Sequence, residues 1–123
     1  MVNNALVNFS FNGDSRPKIH ELQWSSMQSQ LDGALKAALN TTQAALSDMQ
    51  AQGFGRIINI GTNLVQNPVV PYHDYTSAKA ALLAFTRTAA HELGHWAFMS
   101  ICSLAAYYKP QMPVLPPPMQ CLI

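Results

Sequence analysis

The sequence predicts an α/β fold in which helices cover a doubly wound parallel sheet. Two observations lead to this fold class. Short β-branched segments alternate with long segments of helical periodicity between residues 1 and 94, in the order strand, helix, strand, helix. Hydrophobic residues make up 49% of the sequence, which is enough to form a core. The length of 123 residues allows one domain at most.

The first predicted helix follows a short strand and a loop. Residues 1–9 form a short apolar run, and residues 10–22 contain the Gly, Asp, Ser and Pro that are typical of a loop. From about Trp24 to Gln52 there is no proline, and apolar residues recur at helical spacing. Gly53 is the expected stop of this helix, since glycine is common just past helix ends.

The second strand and helix follow directly. Residues 56–60, with the sequence RIINI, are β-branched in the way of a buried parallel strand. A loop with two prolines then leads to a helix predicted from Asp74 to Leu93, ending near Gly94. Residues 95–123 differ from the rest, because they hold five of the eight prolines and only one charged residue, Lys109. The run PVLPPP suits neither a helix nor a central strand, so an irregular tail is expected.

Charge and hydropathy narrow the classes of partner. A net charge of +1 gives no basic stripe of the kind that nucleic-acid binding requires. The longest apolar run, residues 96–108, is shorter than the roughly 20 residues that span a bilayer, and no secretory signal pattern begins the sequence. We therefore expect a cytoplasmic protein with neither a nucleic-acid nor a membrane partner.

The chemistry-bearing residues lie around the second strand and helix. Tyr75 and Lys79 are four residues apart, which places them on one face of the helix. A nearby ammonium favours the phenolate, so Lys79 is expected to lower the pKa of Tyr75 and make it a general acid/base. Thr62 stands at the carboxyl end of the RIINI strand, where parallel sheets bind ligands. Taken alone, the Tyr75–Lys79 spacing is common by chance, and a solvated lysine is the simpler interpretation.

The combination of motifs is more specific than any one of them. RIINIGT, followed after a short loop by YTSAKAALLAFTRTAAHELG and preceded by VNNA, resembles the short-chain dehydrogenase/reductase family over residues 1–94. Within this family the sequence looks like the bacterial 3-oxoacyl-acyl carrier protein reductases and their relatives. The resemblance implies a Rossmann-like fold, NAD or NADP as cofactor, and oxidoreductase activity. It also implies a small carbonyl or acyl-carrier-linked substrate and homo-oligomeric relatives.

The resemblance assigns roles to individual residues. Tyr75 would be the catalytic acid/base, and Lys79 would also hold the nicotinamide ribose. Thr62 stands where the family usually has a serine and keeps the hydroxyl. A second group matches the family's N-N-A-G motif beside the cofactor, which also braces the central strands: Asn3, Asn4 and Ala5.

Two positions depart from the family pattern. Leu6 replaces the glycine of N-N-A-G, and Ala34 falls where the family has a helix asparagine that relays protons. The glycine-rich turn that holds pyrophosphate belongs before N-N-A in this family and is not found there. We therefore expect that Met1 is an internal codon, that roughly half the domain is missing, and that the chain is inactive by itself.

The tail departs from the family pattern in another way. Read from the third base of each codon, residues 95–101 permit L-G-I-H-V-N, the segment that relatives carry after E-L-G. This agreement predicts a domain division into residues 1–94, a partial short-chain dehydrogenase/reductase domain, and residues 95–123, a frameshifted and non-homologous tail.

Two other functions are kept as alternatives. HELGH, residues 91–95, matches the H-E-x-x-H pattern of zinc peptidases, in which two histidines bind zinc and the glutamate activates water. A catalytic zinc needs a third protein ligand, and no His, Asp or Glu follows His95, so we expect no metal site. The other alternative is a non-enzymatic interaction fragment made of the two long helices.

Overall fold

The structure, a computed structural model, describes residues 1–12 and 15–94 and the backbone of residues 98–105. It is an α/β arrangement with three parallel strands in the order β1-β2-β3. The strands are β1 (Val2–Asn3), β2 (Gly55–Thr62) and β3 (Phe98–Ala105), and the helices are α1 (Trp24–Leu31), α2 (Ala37–Gln52) and α3 (His73–Leu93). Short 3-10 turns lie at Ile19–Glu21 and Asn63–Val65. The predicted fold class is confirmed.

The first predicted helix forms over its full length but contains a wider turn. A π-helical turn, Asp32–Lys36, joins α1 to α2, and the whole segment ends at Gln52 as predicted. Gly53 caps it in the left-handed conformation, with φ of 63°. Gly33 lies in the π turn, where an added Cβ would come within 2.9 Å of the Val7 Cβ. The chain that follows β1 therefore passes directly over the helix backbone at this point.

The sheet is built on β2, which is longer than the predicted strand 56–60. Val2 pairs with Ile58 on one side, and on the other side Gly55 to Thr62 pair in parallel with Phe98 to Ala105. β3 was not expected, because the sequence predicted only an irregular tail after residue 94. Its residues are apolar or small, with no proline, and β2 offers them an unpaired edge. The proline-rich run PVLPPP lies outside the described residues.

Helix α3 is packed against its neighbours at both of its ends. It contacts β2, β3 and α1. At its start, Tyr72 and Tyr75 pack with Leu64 and Val70, and Phe9 lies against this cluster. Near its end, a smaller cluster pairs α3 with α2: Ala89 and Leu93 with Leu46 and Met49. The start of α3 is thereby fixed beside the carboxyl end of β2.

Membrane insertion was not expected from the sequence. Within the described residues, none of the helices combines the length and the apolar character needed to cross a bilayer.

Candidate active site

The carboxyl end of β2 carries the first of the sequence-predicted site residues. Thr62 is the last residue of the strand and is only 3% exposed. Its Oγ1 accepts a hydrogen bond from the Leu64 backbone N–H at 3.3 Å, which caps the 3-10 turn that follows. Since this turn redirects the chain as soon as the strand ends, the Thr62 hydroxyl is fixed at the edge of the sheet.

The first two turns of α3 carry the other two predicted catalytic residues. Tyr75 and Lys79 are 7% and 5% exposed. The Lys79 Nζ donates a hydrogen bond to the Ile60 carbonyl oxygen at 2.5 Å and lies 5.8 Å from the centre of the Tyr75 ring. The Thr62 hydroxyl is near enough to the Tyr75 phenol for hydrogen bonding from it to lower the pKa of Tyr75. The structure therefore brings all three residues together at the end of β2.

The ionisation of Tyr75 differs from the expectation drawn from the sequence. Burial raises the pKa of Tyr75 above its ordinary value of 10.0, and the hydrogen bond with Thr62 opposes this rise only in part. The expectation that Lys79 lowers this pKa is wrong for this structure. The Lys79 ammonium is directed to the Ile60 carbonyl, whereas the phenol loses much of its contact with water. Tyr75 is accordingly a protonated phenol at neutral pH.

The three residues of the N-N-A motif lie on the other side of Lys79. A cavity of about 250 Å³ is bounded by the segment Val2–Ala5, by small residues of the π turn and α2, and by Lys79 and Leu82 of α3. The motif residues Asn3, Asn4 and Ala5 all line it. Tyr75 and Thr62 do not line it, so the structure separates the motif from the phenol while Lys79 contacts both regions.

Ala34 also lines this cavity, in the π turn. The family resemblance placed the proton-relaying asparagine at this position. The structure therefore puts Ala34 where an amide would reach the same space as Lys79, but a methyl group can neither donate nor accept a proton.

A chain of hydrogen bonds behind the cavity was missed by sequence reasoning. Thr41 Oγ1 donates to Asn3 Oδ1 at 2.9 Å, and Asn3 Nδ2 donates to Asn59 Oδ1 at 2.8 Å. Asn59 Nδ2 then donates to Thr86 Oγ1 at 2.9 Å. This chain connects α2, β1, β2 and α3, and it agrees with the bracing role that the resemblance gave to Asn3. Asn59 gave a weak signal, as a single polar residue among isoleucines, whereas Thr86 is followed by Arg87 and Thr88 and gave none.

Aromatic packing around Tyr75 was also missed. The Phe9 ring stacks on the Tyr75 ring, with centres 4.4 Å apart and planes at 28°. Phe11 and Tyr72 meet the Tyr75 ring edge to face, at 6.1 Å and 6.4 Å. Phe9 and Phe11 belong to irregular chain after β1, where no periodicity indicates which side chains turn inward.

The described residues of the H-E-x-x-H pattern, His91 to Gly94, do not form a metal site. His91 and Glu92 are exposed on the last turn of α3, and His95 lies outside the described residues. Among the described residues, no three His, Cys, Asp or Glu side chains are grouped closely enough to hold a metal ion.

Comparison with protein families now tests the family resemblance. The family model described as short chain dehydrogenase matches residues 1–111. The chain belongs to this family. The match extends past residue 94, and the proposed division of the chain at that residue stays a prediction.

Individual relatives are similar to parts of the chain. A 2,3-dihydroxy-2,3-dihydro-p-cumate dehydrogenase of Pseudomonas putida is 33% identical over 87 residues, which cover 71% of this chain and 33% of that protein. A short-chain type dehydrogenase/reductase of Picea abies is 41% identical over 58 residues, covering 47% of this chain and 21% of that protein. This chain therefore aligns with a third or less of the length of these relatives.

Solved structures of short-chain dehydrogenases and similar proteins share the fold. The TT0495 protein of Thermus thermophilus superimposes with a TM-score of 0.75 at 30% identity, covering 86% of this chain and 45% of that one. The acetoin dehydrogenase of Enterobacter cloacae gives a TM-score of 0.72 at 25% identity, covering 89% and 42%. The arrangement of β2, α3 and their neighbours is thus a recurring part of larger Rossmann-fold proteins.

Proposed function

We propose that residues 1–94 carry the catalytic part of an NAD(P)-dependent oxidoreductase that interconverts a carbonyl and a hydroxyl group. The observation that carries the proposal is the convergence of Thr62, Tyr75 and Lys79 at the carboxyl end of β2. Three separate polar side chains with 7% exposure or less are held there, at the sheet edge where parallel α/β proteins bind ligands.

The proton chemistry follows from the state of Tyr75. A phenol whose pKa is raised stays protonated at neutral pH, so Tyr75 acts as the acid that donates its proton to the substrate carbonyl oxygen. Thr62, already hydrogen-bonded to that phenol, orients the same oxygen. The protonated phenol is the form that carbonyl reduction requires. Alcohol oxidation needs the phenolate, and its rate should rise as the pH approaches the pKa of Tyr75.

The residues of the cavity suit the nicotinamide end of the cofactor. The cavity lined by Asn3, Asn4, Ala5 and Lys79 has a volume of about 250 Å³, slightly below the roughly 300–1,000 Å³ of typical ligand pockets, so it suits one part of a dinucleotide. The amide and ammonium groups can hydrogen-bond a ribose and a carboxamide. When bound, the nicotinamide exchanges a hydride with the carbonyl carbon. The nicotinamide end is common to NAD and NADP.

The substrate is proposed by analogy with relatives. The sequence resembles the 3-oxoacyl-acyl carrier protein reductases, whereas the matched proteins are named for a dihydrodiol and for acetoin. All are compounds with a hydroxyl or carbonyl carbon. We therefore assign a small or acyl-carrier-linked carbonyl compound as substrate, in a cytoplasmic homo-oligomer.

The 123-residue chain alone is proposed to be inactive. The cavity gives partners to only one half of the cofactor, so dinucleotide affinity should be weaker than about 1 mM. Positioning of reactants supplies about 7–11 kcal/mol of a typical barrier reduction, and a weakly held cofactor forfeits much of it. The helical interaction fragment remains the second candidate, since α1, α2 and α3 contain more of the described residues than the three strands do.

One experiment tests the catalytic proposal. Two proteins are compared: the chain itself, and a fusion of the chain to the amino-terminal half of the Thermus thermophilus relative. For each protein, NAD(P)H oxidation is measured with a 3-oxoacyl substrate and with the oxidised form of acetoin. We expect turnover by the fusion only, lost in Tyr75→Phe. Tyr72→Phe is the matched control, because it removes a hydroxyl from the same aromatic cluster and should keep turnover. Equal activity of both variants would refute the assignment, and turnover by the unfused chain would refute its inactivity.

The frameshift of residues 95–123 has its own test. The shifted reading of residues 95–101 as L-G-I-H-V-N supports it. The coding DNA should continue the family sequence in another frame from about codon 95. A single open frame that is preserved at this point in close relatives would contradict the proposal.

A further inference from the structure

A buried ion pair ties the loop after β1 to the start of α3. One guanidinium nitrogen of Arg16 donates to both carboxylate oxygens of Asp74, at 2.5 Å and 2.7 Å. The two side chains are 14% and 10% exposed. Two charges so removed from water require each other, because either one alone would be buried without a partner. The pair therefore fixes the loop and the helix start in a single geometry.

Asp74 also holds the backbone of the neighbouring Tyr75 by a hydrogen bond. Its Oδ1 accepts a hydrogen bond from the Tyr75 backbone N–H at 2.8 Å. N–H groups in the first turn of a helix have no acceptor within the helix, so this carboxylate supplies the partner that the helix itself cannot. A carboxylate is also favoured at a helix start by the helix dipole. The backbone of Tyr75 is thus held by the group that Arg16 holds.

Arg16 also acts on the Tyr75 ring indirectly, because it contacts the Phe9 ring that stacks on it. Its guanidinium carbon lies 4.7 Å from the centre of the Phe9 ring and 5.3 Å from that of Tyr72. Phe9 in turn stacks on Tyr75. Arg16 therefore contacts both supports of Tyr75, the carboxylate on its backbone and the ring on its side chain.

We propose that Arg16 is a positioning residue for Tyr75, acting through Asp74 and Phe9 to keep the phenol on Thr62. The inference rests on the proposed catalytic role of Tyr75. A guanidinium suits this task because it is planar and stays charged, so it can pair with a carboxylate and stack on a ring at the same time. Loop anchoring alone would need the ion pair but not the contact with the ring that covers Tyr75.

The test uses amide hydrogen exchange and side-chain NMR of the 123-residue chain. In Arg16→Gln we expect the Tyr75 amide to exchange at least about tenfold faster, the lower limit for one lost hydrogen bond to a charged group, while Leu82 and Ala89 in the same helix keep their rates. The ring proton shifts of Tyr75 should move as the Phe9 stack loosens. Arg16→Lys should recover the amide but not the ring shifts, since ammonium restores the charge and not the plane.

Two further variants keep the test decisive. Arg87→Gln removes the same charge from the exposed face of α3 and should change neither signal. Arg16→Gln/Asp74→Asn avoids an unpaired buried charge, keeps an amide oxygen for the Tyr75 N–H, and should still shift the Tyr75 ring signals. Equal acceleration at Tyr75, Leu82 and Ala89, or no change at all, would overturn the proposal.

These readouts need neither cofactor nor turnover. A fusion whose turnover survives Tyr75→Phe refutes the catalytic proposal while the NMR results stand. Unchanged Tyr75 signals in Arg16→Gln, with turnover still dependent on Tyr75, refute the positioning role alone.

Discussion

Replacing Thr62 with valine removes one hydroxyl from the candidate site and little else. Valine has nearly the same shape as threonine, and Thr62 is 3% exposed, so water cannot take the place of the lost oxygen. Two interactions disappear: the hydrogen bond accepted from the Leu64 N–H, and the hydrogen bonding to the phenol that lowers the pKa of Tyr75. The substitution therefore separates the role of the hydroxyl from that of packing.

The expected effects can be worked out for each bond. The Leu64 N–H is left buried without its acceptor, at a cost of about 1–3 kcal/mol in the free energy of unfolding. The 3.3 Å length of this bond favours the lower end of the range. The pKa of Tyr75 should rise further, because burial still disfavours the phenolate and the hydroxyl that opposed this is gone.

Urea unfolding gives the stability change, and NMR of the tyrosine ring carbons against pH gives the pKa, with Tyr75→Phe assigning the signal. Thr62→Ser is the matched control, since it keeps the hydroxyl and should leave the pKa of Tyr75 nearly where it was. A lower or unchanged pKa of Tyr75 in Thr62→Val, or the same rise in Thr62→Ser, would show that the hydroxyl does not act on the phenol.

Three other predictions follow from single features. The raised pKa of Tyr75 adds stability that is fully present below the unfolded value of 10.0 and is lost as pH rises through the folded pKa. The free energy of unfolding, measured in urea at increasing pH, should therefore decline above about pH 10. Tyr75→Phe should make this decline smaller. Gly53→Ala should cost about 1–2 kcal/mol, measured by urea unfolding, because its φ of 63° disfavours a side chain, whereas Gly94→Ala, at φ of −58°, should change stability by less than about 0.5 kcal/mol. Calorimetric titration with zinc should show only nonspecific binding; a stoichiometric site that His95→Ala removes would instead support a zinc centre with His91.

Much of the fold could be predicted because it depends on local sequence patterns, such as helical spacing, a glycine at a helix end and a β-branched run. The helical spacing from Trp24 onward and the stop at Gly53 both appear in the structure. The β-branched run lies within β2, and the second helix begins one residue before the predicted Asp74. These elements depend on neighbours in sequence, which periodicity and capping describe directly.

What the sequence could not predict depends on distant partners. The π turn arises inside a helix of ordinary periodicity, and β3 forms because β2 presents an edge to it. Arg16 and Asp74 are 58 residues apart, and nothing local in the loop around Arg16 indicates its partner. The pKa of Tyr75 was predicted with the wrong sign, since the spacing to Lys79 is visible in the sequence whereas the burial of the phenol is not.

The amide of Asn59 explains how the cavity beside Asn3 and the helix that carries Tyr75 come to share one geometry. Leu82 offers a carbonyl oxygen, which can only accept, so the Thr86 hydroxyl donates to it at 2.7 Å and must accept from its other neighbour. That neighbour must then donate to Thr86 and also accept from Asn3. A carboxamide does both, whereas a carboxylate has no donor and an aliphatic side chain has neither group. The direction of donation along this series of hydrogen bonds, from Thr41 to α3, is therefore fixed by the Leu82 carbonyl. Because Asn59 is 1% exposed, water cannot substitute for either bond, and a shift of the Asn3 amide at the cavity reaches the helix that carries Tyr75.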